Sequence, residues 1–284
     1  MALKVEVKTC SVWFLIGSAI SYLYLIVSCA PSLQLYPEYI NIGFLVCYIA
    51  VTHVLLIMVV CDPALKMVAV RGLSLGQAFG LGLIVALSGS NFALFGWYMC
   101  VLSFFHVSEY LATGITNPTE VSVSSFLLDH SPEYHIAMAA SVLEFWLQWY
   151  FFTEYKQSSW LSCIGLCVVI LGELLRKGAM YTASTNFNHY VQHKHRRGHE
   201  LVTSGIYSFF RHPSYVGWFY WSVGTQLMML NPLCCVAYTL ASWRFFRDRI
   251  EYEEMTLISF FGEQYLQYQG RVPTGLPFIK GYVP

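Results

Sequence analysis

The sequence predicts an all-α integral membrane protein with about eight transmembrane helices and both termini in the cytosol, and three observations carry that expectation. Of 284 residues, 56% are hydrophobic, 17% aromatic and only 11% charged, with a mean hydropathy of +0.52. That balance is foreign to a soluble domain of this length. Apolar runs long enough to cross ~30 Å of hydrocarbon, about 20 helical residues, recur along the chain, and in lipid a helix satisfies its own backbone. With eight crossings, all of the 16 lysines and arginines except Lys156 fall on one side, the asymmetry that marks a cytosolic face.

In chain order the spans are expected at 12–30, 40–61, 73–88, 91–112, 135–153, 160–175, 213–230 and 232–246. The first, preceded by Lys4 and Lys8, imitates a secretory signal but is too long and too aromatic for one. On the third, Gly72, Gly76 and Gly80 recur every four residues and share a face, which predicts a close helix–helix seam. Gly80-x-Gly82 lacks the third glycine and the preceding strand of a dinucleotide-binding turn. Only Asn231-Pro232 separates the last two spans, so they read as a tight helical hairpin. Residues 1–90 form an N-terminal helical region and 91–284 a core, with two polar stretches at 176–212 and 244–284.

Nine cysteines lie in or beside apolar segments and read as small buried hydrophobes. None is spaced as Cys-x-x-Cys, so neither a disulfide framework nor a metal is expected. Ionisable groups inside spans are expensive and point to function by default: His53, His106, Glu109, Glu144 and Glu173. His106 and Glu109, at i and i+3, either satisfy one another or line a polar cavity. Glu144 and Glu173 equally suit interhelical hydrogen bonds.

The stretch 176–212 holds five of the nine histidines and much of the positive charge, and is the long polar loop in which a site would form. Its run His193-Lys194-His195-Arg196-Arg197 reads as a solvated basic turn attracted to anionic lipid. Gln192, His199, Tyr207, His212, Ser214 and Tyr215 differ because they flank the entry to the seventh span, where a half-buried loop must hydrogen-bond something. A second cluster, WRFFRDRIEYEE from Trp243, follows the eighth span. Helical spacing pairs Arg244 with Asp248, Arg247 with Glu251 and Arg249 with Glu253, all base-first, the weaker order at ~0.2–0.5 kcal/mol each. A charged face meant for a ligand is the competing reading.

These blocks carry a resemblance: GWYMCVLSFFHVSEY at Gly96, SFLLDHSPEY at Ser125, NFNHYVQ at Asn186, LVTSGIYSFFRHPSYVGWFYWSVGTQ at Leu201, WRFFRDRIEYEE at Trp243 and FGEQYLQYQGRVPTGLPFIKG at Phe261. In that order they make the chain resemble the isoprenylcysteine carboxyl methyltransferases of the eukaryotic endoplasmic reticulum, over roughly its last two thirds. The Arg-His-Pro-x-Tyr-x-Gly core alone is shared with phospholipid N-methyltransferases and membrane sterol reductases. The resemblance implies transfer of a methyl group from S-adenosylmethionine to the C-terminal carboxylate of prenylated cysteine in CaaX-processed proteins such as small GTPases, in the endoplasmic reticulum membrane with the site facing the cytosol. By position it implies that Gln192, His199, Glu200, Leu201, Val202, Tyr207, His212, Pro213, Ser214, Tyr215 and Glu253 contact the cofactor and that Arg249 holds the substrate. No metal and no nucleic acid enter.

The chemistry of the residues is compatible with that. An α-carboxyl with a reference pKa of ~3.3–3.7 is an anion at neutral pH and a sulfonium methyl is already activated, so no general base is required. Arg249 offers a carboxylate the planar fork that a lysine lacks. A fifteen-carbon prenyl chain, at ~0.8 kcal/mol per buried CH2, favours entry from lipid, and a polar cofactor entry from water. Three other functions compete: a lipid methyltransferase with an amine acceptor, for which Arg249 is a misfit; a sterol reductase, with only the basic run to hold a nicotinamide phosphate; and a non-enzymatic scaffold or transporter, which leaves the loop histidines unexplained.

Overall fold

The computed structural model describes residues 4–28, 38–129, 131–156, 159–192, 194 and 198–284. Among them every regular element is helical, and the chain divides into two compact units, 1–115 with 121–128, and 116–120 with 129–284.

The first unit holds α1 (Val5–Ser28), α2 (Glu38–Val59), α3 (Pro63–Leu87) and α4 (Ala93–Thr116). α3 begins ten residues before the expected span because Asp62 caps it, accepting from the amide of Ala64 at 2.9 Å, with Pro63 in the first turn. Lys66 and Arg71 interrupt the apolar run there without interrupting the helix. Among the described residues α3 alone is both long and apolar enough to cross a membrane by length and mean hydropathy, 1.6. The glycine seam forms as the spacing predicts: α1 crosses α3 so closely that a Cβ on Gly76 would strike the Phe14 carbonyl, and one on Gly80 would lie 2.7 Å from the Ser18 carbonyl oxygen. Residues 121–128 fold back onto the unit, with Phe126 stacked on Tyr110 at 4.2 Å. Nδ1 of His106 donates to the Phe126 carbonyl at 2.8 Å, and an Arg71 Nη1–H to that of Val123 at 3.0 Å. Buried His106 thus ties down this segment.

The second unit holds α5 (Pro132–Phe151), α6 (Trp160–Ala183), α7 (Pro213–Met228), α8 (Pro232–Phe261) and α9 (Glu263–Arg271). α6 and α7 pack through glycine on both sides, a Cβ on Gly172 lying 2.6 Å from the Trp221 amide and one on Gly217 2.6 Å from that of Arg176. The α7–α8 hairpin forms as expected, turning at Leu230 with φ +56°. Its ends are neutralised by opposite charges. Lys156 is buried and donates to the carbonyls of Met229 (2.8 Å) and Leu230 (2.9 Å) and to Asn231 Oδ1 (2.7 Å), a cation at the C-terminus of α7. Glu144 accepts from the amides of Leu233 (2.9 Å) and Cys234 (2.6 Å), an anion at the N-terminus of α8. Glu173 pairs with Lys177 one turn on, at 3.1 Å.

One expectation is corrected. Cys10, Cys100 and Cys234 are buried, but Cys47, Cys61, Cys163 and Cys167 are exposed, all eight described cysteines being free; Cys163 shares an outward face of α6 with exposed Trp160, Ile164 and Leu171. Cys29 lies outside the described residues. The helix of the eighth span continues past Phe246 through the charged cluster, as the helical pairing there implies: no glycine or proline interrupts the sequence before Gly262, so α8 runs 30 residues and stops there, at φ +54°.

Candidate active site

α8's extension past its apolar part places Arg249, Glu253 and Glu254 beside the start of α7. There Arg211-His212-Pro213 does three jobs in succession. Pro213 opens the helix with φ already set for it. The carbonyl of His212 accepts from the amide of Val216 at 3.1 Å. The His212 ring lies flat on Tyr215, 4° from parallel at 5.6 Å, and Tyr215 in turn stacks on Phe246 at 5.2 Å. This column fixes the Tyr215 hydroxyl, which donates to Glu253 Oε2 at 2.5 Å and accepts from Arg249 Nε at 3.2 Å. A second Arg249 N–H donates to the His189 carbonyl at 2.8 Å. The expected i,i+4 partners Arg249 and Glu253 thus meet through a phenol from another helix. Arg247 instead reaches Asp248, its sequence neighbour, at 2.7 Å on the surface rather than Glu251, because outside the core the nearest carboxylate suffices.

Between α6 and α7, residues 184–192 and 198–202 belong to the crossing segment. Asn117 donates to the carbonyls of Thr185 (3.4 Å) and Phe187 (3.1 Å), and Asn186 Oδ1 accepts from the amide of Glu200 at 2.9 Å. His199 meets Phe260 and Phe261 edge-on at 5.8 and 5.3 Å. A short 3-10 turn, Gly205–Ser208, is held when the Tyr268 hydroxyl donates to the Tyr207 carbonyl at 2.6 Å.

Between these walls lies a cleft. Of the residues that the sequence marks for the cofactor, His199, Glu200, Leu201, Val202, Tyr207, His212, Pro213, Ser214, Tyr215 and Glu253 line it. Gln192 lies outside the lining, donating to the Tyr190 carbonyl at 3.0 Å. Arg249 adjoins it through Tyr215. The basic run falls largely outside the described residues, with His193 and 195–197 among the omitted positions.

Several residues escaped sequence reasoning. Glu254 is fully buried, and its Oε1 accepts from Arg211 Nε (2.8 Å), His212 Nε2 (3.0 Å) and the Tyr265 hydroxyl (3.0 Å). Burial works against its charge, yet the bond and charge of His212 and the Arg211 guanidinium hold its pKa down at about 2. Burial pushes the Tyr268 phenol up to about 12, against the pull of Arg211, and lifts Tyr207 further, aided by Glu253, so both phenols stay protonated. Arg176, 2% exposed, donates from Nη1 to Ser214 Oγ at 2.8 Å with its guanidinium 4.7 Å over Trp218, which sets a fixed positive charge behind the cleft. The signals were slight: Arg211 is the first residue of the Arg-His-Pro run, Glu254 the second of a Glu-Glu pair, and Arg176 reads as a mere helix end.

Known proteins resemble this chain. The sequence profile of the isoprenylcysteine carboxyl methyltransferase family matches residues 163–259. The human protein-S-isoprenylcysteine O-methyltransferase is 56% identical over 234 residues, 82% of this chain and 82% of that protein. The chain belongs to the isoprenylcysteine carboxyl methyltransferase family. The Tribolium castaneum protein of the same name is 55% identical over 216 residues, 76% of this chain and 77% of its own. A solved structure of a family member, described as a eukaryotic intramembrane Ras methyltransferase without a monobody, superposes with a TM-score of 0.92 at 45% identity, covering 99% of this chain and 100% of that one. The family match takes in the crossing segment, α7 and most of α8; Phe261, Tyr265 and Tyr268, which close the cleft from α9 and the end of α8, lie beyond it.

Proposed function

We propose that the family's reaction, methylation of an isoprenylcysteine carboxylate, takes place at this cleft with S-adenosylmethionine as donor and with Arg249 holding the carboxylate. The observation that carries the reading is the Arg249–Tyr215–Glu253 relay on the edge of the cleft. An anion arriving from a low-dielectric medium needs a donor fork held in advance, and the His189 carbonyl and the Tyr215 oxygen orient this guanidinium.

The residues present fit the cofactor. Glu200, Leu201 and Val202 line the cleft beside the carboxylate of Glu253, and Tyr207 offers an aromatic face suited to a sulfonium. When bound, S-adenosylmethionine supplies an electrophilic methyl group. The chain's own task is placement, which contributes ~7–11 kcal/mol of barrier reduction when reacting groups are held in line. His212 and Phe246 keep Tyr215 from rotating, while Phe261 and Tyr268 help exclude water. No side chain is needed as base, since the acceptor is already ionised at neutral pH.

The substrates are prenylated CaaX proteins, the small GTPases among them, and the prenyl chain reaches Arg249 from lipid, which it prefers by roughly 10 kcal/mol. α1 to α8 cross the endoplasmic reticulum membrane with both termini and the cleft on the cytosolic side. The exposed apolar faces of α5 and α6, Leu143, Leu147, Ile164 and Leu171 among them, support contact with lipid, as does the intramembrane description of the solved relative. The test is to incubate membranes holding the chain with labelled S-adenosylmethionine and N-acetyl-S-farnesylcysteine. A base-labile methyl ester is expected; its absence at saturating donor refutes the assignment.

A further inference from the structure

Residues 272–282 leave α9 and wrap the buried Arg211–Glu254 ion pair. Arg211 donates from Nε to Glu254 Oε1, from Nη1 to the carbonyls of Gln269 (3.1 Å) and Val272, and from Nη2 to that of Lys280 at 2.9 Å. The amides of Arg211 and His212 donate to the carbonyls of Pro273 (2.9 Å) and Thr274 (3.3 Å). Leu276 and Ile279 enter the apolar cluster of Val216, Phe219, Phe246 and Ile250. The wrap ends on the backbone of one residue: the amide of Tyr282 donates to Glu254 Oε2 at 2.8 Å, and its carbonyl accepts from Gln269 Nε2 at 2.6 Å. Gln269 Nε2 also reaches Glu254 Oε2, at 3.1 Å. Directly before it, Gly281 sits at φ +82° with no room for a side chain, since a Cβ there would run into Glu254 Oε2 and lie 2.9 Å from Arg211 Nη2.

We propose that Gly281 and the Tyr282 peptide are positioning elements for the cofactor cleft, acting through Glu254 on His212 and Arg211. The argument is one of satisfaction. A buried carboxylate needs its oxygens filled, and the cost of an unfilled one falls on whatever holds it. Three donors crowd Oε1, and all three, Arg211, His212 and Tyr265, line the cleft. Oε2 is held by Gln269 and the Tyr282 amide. Remove that amide, or push on Oε2 with a methyl group, and the carboxylate turns. His212 Nε2 and Arg211 Nε then lose their shared acceptor, and the His212–Tyr215 stack is no longer fixed from behind. The contact is made by the backbone, so the Tyr282 side chain is dispensable to it. The inference rests on the cleft being the cofactor site.

The experiment compares Tyr282→Pro, which deletes the single N–H, with Tyr282→Ala, which keeps it, alongside Gly281→Ala and the parent chain. S-adenosylhomocysteine binding is measured directly by calorimetry on purified protein, together with separate KM values for S-adenosylmethionine and N-acetyl-S-farnesylcysteine. Tyr282→Pro and Gly281→Ala are expected to weaken S-adenosylhomocysteine roughly tenfold or more, the scale of one charged hydrogen bond, with the prenylcysteine KM within about twofold because Phe246 and Glu253 still hold Tyr215. Tyr282→Ala is expected to match the parent. If Tyr282→Pro binds S-adenosylhomocysteine like Tyr282→Ala, or if both KM values shift together along with a general loss of thermal stability, the positioning role is refuted. A parent chain that binds no S-adenosylhomocysteine refutes the cofactor reading itself.

Discussion

Arg249 donates its Nε–H to the hydroxyl of Tyr215 at 3.2 Å, across two helices whose sequence positions lie 34 residues apart. That hydroxyl spends its own hydrogen on Glu253, so it can only accept from Arg249. Replacing Tyr215 by Phe keeps the ring stack on His212 and Phe246 but frees the guanidinium. The expected outcome is a fall of about ten- to a hundredfold in kcat/KM for N-acetyl-S-farnesylcysteine, equivalent to ~1.5–3 kcal/mol for a charge-assisted bond, with S-adenosylhomocysteine affinity changed less than threefold. Calorimetry and initial rates check it.

Arg249→Lys preserves the charge and removes the fork. The prenylcysteine KM is expected to rise by an order of magnitude or more while S-adenosylhomocysteine binding stays near the parent value. Equal losses in both would count against the role proposed for this arginine.

Lys156 satisfies three buried oxygens at the α7–α8 turn. Lys156→Met leaves them unfilled and is expected to cost ~2–4 kcal/mol, read as a lowered Tm in detergent. The pH dependence has a definite sign. Burial lowers the Lys156 pKa to about 8, so the folded chain gives up this proton before the unfolded chain does. Between about pH 8 and the ordinary 10.5 the parent's stability relative to Lys156→Met should therefore rise with pH.

Glu254 behaves oppositely. Its pKa falls from the ordinary 4.5 to about 2, so its contribution is complete above pH 4.5 and fades as pH drops towards 2. Linkage puts that contribution at about 3 kcal/mol. Stability measured against pH for the parent and for Glu254→Gln should show the gap between them closing across that acid window, and a constant gap would overturn it.

Gly76→Leu on α3 drives a side chain into the Phe14 carbonyl. An overpacking loss of ~1–3 kcal/mol or more is expected, with little effect from the same change at exposed Gly43, where a Cβ meets nothing.

Much of this architecture was legible in the residues. The helical character of all eight expected spans, the α1–α3 seam at Gly72, Gly76 and Gly80, and the hairpin at Asn231-Pro232 follow from local pattern, because glycine spacing and proline placement act within one or two turns. The early start of α3 rests on a local signal that the apolar run masks, the Asp62-Pro63 cap. The rest of what escaped notice depends on distant groups. The burial of Lys156 rests on carbonyls more than 70 residues away. At the site, Arg211 and Glu254 were invisible as a pair because nothing in their own neighbourhoods marks them as partners. The exposed cysteines of α6 were misjudged for a related reason: an apolar face turned outward has the same composition as one turned in.

The 30-residue α8 is also a ruler. At 1.5 Å of rise and 100° of turn per residue, the number of residues between its Glu144-capped start and Arg249 dictates both how far the guanidinium stands from that anchor and which way it faces. Inserting or deleting a single residue in this interval would swing Arg249 away from Tyr215 by more than a quarter turn, so evolution can vary the chemical make-up of this stretch freely but not its count.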